Sequence, residues 1–255
     1  MSRLSRDFVR LPIAHRALHD LDDGRPENSI SAIRAAIRAG YGIEVDLQFS
    51  KDGVPMVFHD YDLGRLTNQS GPLRQRNAAD LTQMTLLNCS DTIPTLTEVL
   101  DLVAGQVPLL LEIKDQDGAL GPDIGAQERA IADALVGYDG PAALMSFNPH
   151  SVIEMSRLCP HIPRGLLTCN FPKEHWKLVP ESTLEMLRDA PDYDRSGASF
   201  ISHFAKDLDN PRVAELRAKG ATILSWTIKS QEEEITARKV ADGITFEGYA
   251  AKFPT

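Results

Sequence analysis

Short apolar runs recur along the chain at a spacing that suggests strands: LPIAH (11–15), GIEVDL (42–47), VPLLLEIK (107–114), AALMSF (142–147), RGLLTC (164–169), ASFIS (198–202), ATILSW (221–226) and DGITF (242–246). Between them, apolar residues return every three or four positions, the period of a helix with one buried face. In ENSISAIRAAIRAG, Ile30, Ile33 and Ile37 share a face, with Asn28 or Ser29 available as cap and Gly40 as stop. PTLTEVLDLVAG (94–105) repeats the pattern through Leu96, Val99, Leu100 and Val103, and NPRVAELRAKG and SQEEEITARKV precede the last two runs in the same way. Eight strands separated by helices predict parallel βα units. Eight such units in 255 residues predict a single-domain (β/α)8 TIM-type barrel over residues 1–255.

One stretch breaks the alternation. After IEVDL the chain reads SKDG, a turn signal, and a second apolar run follows that ends at His59. Residues 43–60 are therefore expected to form a barrel strand that continues into a hairpin, returning His59 toward the barrel mouth. Residues 61–93 form a polar insertion, rich in Arg65, Asn68, Gln69, Ser70, Arg74, Gln75, Arg76 and Asn77, expected to cap the pocket.

Active sites of such barrels lie at the C-terminal strand ends, and polar residues collect there. The first run ends in His15 and Arg16, the second carries Glu44 and Asp46, the third carries Glu112 and Lys114, and the seventh ends in Trp226. Side chains two apart on a strand share a face, so Glu44 projects with Asp46 and Glu112 with Lys114. Three converging carboxylates without a thiolate suit one hard divalent cation: Mg²⁺, Ca²⁺ or Mn²⁺. The competing reading is a salt-bridge network with Arg16 and Lys114. His15 and His59 flank the acids and suit proton transfer near neutral pH. Arg16 and Lys114 offer fixed positive charge for a phosphate. Metal, cations and an acid/base pair together describe phosphodiester cleavage.

Composition narrows the partners. A net charge of −9 argues against a general nucleic-acid binder and against docking on an anionic bilayer. There is no apolar run of the roughly 18 residues that a span needs, and MSRLSRDFVRLP lacks an apolar signal core. The expectation is a cytoplasmic protein acting on a small molecule, with no nucleic-acid or membrane partner. Cys89, Cys159 and Cys169 show no metal-type spacing and are read as structural thiols.

The ordered set AHRA, PENS, IEVDLQFSKDG and FHD, followed by LEIK, SWTIK and ADGITF, resembles the glycerophosphodiester phosphodiesterase family, whose hallmarks are H-R-G, P-E-N-T, E-x-D, K-D-G and H-D. The resemblance spans nearly the whole chain, dense over 12–67 and 107–114 and thin over 150–215. It implies a (β/α)8 barrel and hydrolysis of glycerophosphodiesters to glycerol 3-phosphate and an alcohol. By position it implies that Glu44, Asp46 and Glu112 bind the metal and that His15 and His59 are the acid/base pair. It likewise implies phosphate binding by Arg16 and Lys114, supporting roles for Glu27 and Asn28, and a pocket wall at Trp226.

The sequence departs from that pattern twice. Ala17 stands where the third hallmark residue is Gly, a narrower backbone choice if φ is positive there. The closing strand, which usually ends in Thr-Asp, reads Thr245-Phe246-Glu247, so the acid falls one residue later, toward the other face. His203 is expected in a loop or core role rather than at the pocket, the loop NFPKEHWK is read either as a packed loop or as a head-group contact through its aromatics and Lys173, and His19, His150 and His161 are assigned no role. The same residue set would serve a phospholipase-D-like or lysophospholipid-cleaving enzyme. A non-catalytic phospho-ligand binder is disfavoured, because both histidines and all three acids are present.

Overall fold

The computed structural model describes residues 2–254. Nine strands form one sheet: β1 (Ile13–Ala14), β2 (Gly42–Phe49), β3 (Pro55–Val57), β4 (Leu109–Ile113), β5 (Ala142–Ser146), β6 (Arg164–Thr168), β7 (Phe200–Phe204), β8 (Thr222–Ile228) and β9 (Gly243–Phe246). Eight are parallel neighbours in the order β1-β9-β8-β7-β6-β5-β4-β2, and β1 pairs with β2 to close the barrel. Only β3 is antiparallel. It pairs with β2 as the hairpin arm, with Leu47 opposite Val57.

Two apolar layers follow from strand alternation. Ile13, Leu110, Ala143, Met145, Leu167, Phe200 and Leu224 fill the barrel, with Phe8 packed among them. The intervening residues, such as Ile43, Val45, Leu109, Leu111, Leu144, Ile201 and Ile244, pack against the surrounding helices. Close packing inside the barrel leaves no room for a side chain at Gly165, where a Cβ would lie 2.3 Å from the Phe200 ring. No helix among the described residues is long and apolar enough to cross a membrane.

The helix Ile30–Ala39 starts and stops as its sequence directs. The Ser29 hydroxyl accepts from the Ala32 N–H, and Gly40 ends the helix at φ 77°. Because Ser29 is the cap, the Asn28 side chain is free for the site. The segment 61–93 is polar outside but has its own apolar centre, in which Leu63, Leu66, Leu73, Leu81, Leu86 and Ile93 pack with Met56 and Phe58 of the hairpin.

Candidate active site

The register of the barrel gathers the acids. Asp46 stands directly opposite Glu112 in the β2–β4 ladder, and Glu44 lies two residues before Asp46 on the same face. The three residues are buried, and each offers a carboxylate oxygen within 4.8 Å of the other two. The cations expected beside them are there. Lys114 donates to Glu112 at 2.6 Å and lies 2.8 Å from Asp46. Arg16 donates from its backbone N–H to Glu44 Oε2 at 2.7 Å, and its side chain donates to Glu27 at 2.8 Å. Asn28 holds Asp46 twice: its amide donates to Oδ2 at 2.8 Å, and its Oδ1 accepts the Asp46 N–H at 3.2 Å.

These ion pairs do not satisfy the cluster. Glu44 Oε1 is buried and accepts nothing, a costly state for a carboxylate. Burial, then the charges of Asp46 and Glu112, pushes the Glu44 carboxyl well above its ordinary range. Burial pushes Asp46 the same way, but the charges of Lys114, His59 and Arg16 override it and hold Asp46 well below that range. An all-oxygen set with one unclaimed buried lone pair fits a hard divalent cation.

Both predicted histidines flank this cluster, and each is backed by a carboxylate through Nδ1. His15 Nδ1 lies 2.6 Å from Glu247, and His59 Nδ1 lies 2.7 Å from Asp60. The hairpin delivers His59: Phe58 N–H bonds the Asp46 carbonyl at 3.0 Å, and the Gln48 amide donates to the His59 carbonyl at 2.9 Å. Arg65 then braces the whole side. It donates to Asp60 at 2.6 Å and makes a fork to Glu27 at 2.8 and 2.7 Å. His15, His59, Arg16, Lys114, Glu44 and Glu112 open on one cavity of about 550 Å³, whose apolar lining is Met145, Phe147, Leu167, Phe204 and Trp226; Asp46 sits behind, buried against Lys114. The Trp226 ring is fixed by an Nε1–H bond to the Ser202 carbonyl at 3.0 Å, by an edge contact with Phe147 and by a tilted contact with Phe204.

A model of the glycerophosphoryl diester phosphodiesterase family matches residues 15–246. The chain belongs to this family. A glycerophosphodiester phosphodiesterase of Caldanaerobacter subterraneus subsp. tengcongensis is 28% identical over 246 residues, covering 92% of each chain. The rat protein called glycerophosphodiester phosphodiesterase 1 is 34% identical over 251 residues, covering 87% of this chain and 72% of the relative. Among solved structures, a phosphodiesterase of Oleispira antarctica in complex with the product sn-glycerol-3-phosphate superposes with a TM-score of 0.74 at 25% identity, covering 94% of each chain.

The barrel brings together every residue that the family resemblance singled out, and it corrects two other expectations. The segment 61–93 does not cap the cavity: none of its residues lines it, because its apolar centre docks it on the hairpin instead. Its contribution is indirect, through Arg65. His19, given no role, lines the cavity 3.6 Å from Glu247. The turn after β1, with Arg16 at φ 52° and Ala17 at φ 65°, carries it back to the mouth. Ala17 thus occupies the left-handed region that the family's glycine would take freely. His203 is buried, between Thr168 and Asp207, and Lys173 bonds carbonyls of its own loop. His203 is a core element, as expected, and of the two readings of the loop the packed one fits Lys173. Asp60, Arg65, Lys229 and Glu247 were given no role in the site from the sequence. Strand alternation alone signals Glu247, since it lies two residues after Thr245, and both line the cavity.

Proposed function

We propose that the protein hydrolyses glycerophosphodiesters to glycerol 3-phosphate and an alcohol, with one divalent cation held by Glu44, Asp46 and Glu112. The observation that carries this reading is a cluster of three buried acids beside one cavity that two carboxylate-backed histidines line. When bound, the cation neutralises phosphate charge. Arg16 and Lys114, already at the acids, bind the phosphoryl oxygens. Burial pushes the His15 imidazole below its ordinary pKa against the opposing Glu247 bond, so His15 is neutral near pH 7 and suits the base. It takes the proton of the attacking hydroxyl as the new O–P bond forms; water gives glycerol 3-phosphate directly, whereas the substrate's own 2-hydroxyl gives a cyclic phosphate that a water then opens in a second displacement. His59 gives a proton to the departing alkoxide as the old P–O bond breaks.

The apolar wall of Phe147, Leu167, Phe204 and Trp226 favours a second reading, cleavage of a lysophospholipid whose chain lies against it. The charged floor of His15, Arg16, Lys114, Glu44 and Glu112 supports the small diester. Purified protein with Mg²⁺ is to be given glycerophosphocholine, or lysophosphatidylcholine below its micelle concentration, and the products identified. Release of glycerol 3-phosphate with a higher kcat/KM for glycerophosphocholine is expected. A clear preference for the lysolipid establishes the second reading, and no release from either removes both.

A further inference from the structure

Glu247 lies just beyond the span that the family model matches. Strand alternation decides which way it faces. Phe246 packs in the layer outside the barrel, whereas Thr245 and Glu247 face the cavity. Two strand-end bonds then fix its backbone. The Glu247 N–H donates to the Ile228 carbonyl at 3.0 Å, and the His15 N–H donates to the Phe246 carbonyl at 2.9 Å. The second bond sets the His15 ring beside the Glu247 carboxylate.

The two oxygens of that carboxylate have separate partners. Oε2 takes His15 Nδ1 at 2.6 Å, with His19 Nε2 at 3.6 Å, and Oε1 takes the Lys229 ammonium at 2.6 Å. The His15 bond, with the His19 and Lys229 contacts behind it, holds Glu247 ionised far below the ordinary glutamate range. An ionised carboxylate only accepts, so Nδ1 must carry the hydrogen and the lone pair of neutral His15 must sit on Nε2. The other charges near His15 are Arg16 beside it and Asp46 on β2. Neither makes a hydrogen bond with the ring.

We propose that Glu247, clamped between His15 and Lys229, is a positioning residue that fixes the tautomer and orientation of His15 for proton transfer. The inference rests on the base role given to His15 above. In the step itself the proton of the attacking hydroxyl passes to Nε2, while the Nδ1 hydrogen stays in its bond to Glu247. Glu247 stabilises the imidazolium without becoming protonated and without touching substrate. Lys229 keeps the carboxylate from swinging toward the phosphate cations.

The test compares Glu247→Ala, Glu247→Gln and His15→Ala in the full chain. Glycerophosphocholine turnover is measured with Mg²⁺, and ¹⁵N-histidine spectra with and without it. In Glu247→Ala, kcat is expected to fall on the order of 10–100-fold, with KM within about threefold. The His15 spectrum should lose its single Nδ1–H form while the His59 spectrum is unchanged. Glu247→Gln is nearly isosteric and keeps the fold if alanine does not; it should show the same loss of tautomer purity. An unchanged His15 spectrum, or wild-type kcat in both Glu247 variants beside an inactive His15→Ala, overturns the role of Glu247 and leaves His15 as base. An active His15→Ala overturns the base role itself.

Discussion

Lys114 lies 2.8 Å from Asp46 on the neighbouring strand, with Asp46 buried and the lysine side chain only 13% exposed. One ammonium therefore shares Asp46 and Glu112 with any cation that Glu44 also holds. Lys114→Met should raise affinity for Mg²⁺, because a competing charge leaves the acids, yet lower kcat/KM on the order of 10²-fold, because a phosphate cation is lost. Calorimetric titration and steady-state kinetics on the same preparation check both halves. Excess chelator should abolish wild-type turnover, and added Mg²⁺ or Mn²⁺ should restore it.

His15 and His59 both line the cavity beside the acid cluster, and on the proposed reading they serve the two ends of one displacement. Alanine at either should lower kcat on the order of 10²–10⁴-fold. The double variant should be little worse than the poorer single, since groups that act in concert are not additive. Circular dichroism confirms that the fold is kept. Near-wild-type kcat in a single variant removes that histidine from the mechanism.

Arg16 reaches Glu27 at 2.8 Å with one guanidinium nitrogen and lies 3.7 Å from Asp46 with another. Lysine at this position keeps the charge but cannot span both carboxylates and a phosphate oxygen. Arg16→Lys is expected to lower kcat/KM at least about tenfold, read as initial rates on glycerophosphocholine. Wild-type rates would reduce Arg16 to charge balance.

Glu44 makes an opposite contribution to stability from its neighbours. Its carboxyl is raised in the folded protein, so its charge costs stability at pH 7, and that cost is relieved as pH falls toward the ordinary glutamate value of about 4.3. Asp46, Asp60 and Glu247 are depressed, so their contribution is present above about pH 4 and is lost as pH falls further. Glu44→Gln should therefore raise the Tm of the metal-free protein at pH 7 and remove the stabilisation that Mg²⁺ gives the wild type. Thermal melts with chelator and with Mg²⁺ check it; a lower metal-free Tm refutes the assignment.

Much of this site could be read from the chain because strand alternation is local. Glu44 with Asp46 and Glu112 with Lys114 share faces by counting two, and SKDG turns the hairpin that returns His59. What could not be read depends on register between distant strands. Asp46 lies opposite Glu112, and His15 lies beside Glu247, only because β2 pairs with β4 and β1 with β9. His19 was missed because its position follows from two successive left-handed residues, Arg16 and Ala17, neither of them glycine. The insertion misled in another way: its polar residues are its surface, and the scattered leucines that anchor it follow no helical or strand period.

The insertion has a separate apolar centre, shared with the hairpin rather than with the barrel. Two layers of the molecule can therefore come apart in sequence. Opening the smaller one needs less free energy than melting the closed sheet. It would take Phe58 and Arg65 from their partners and with them withdraw His59, while Glu44, Asp46 and Glu112 stay on strands that remain paired. On gentle heating the protein would then keep its ion and lose its proton donor, going silent as a catalyst while still intact as a barrel.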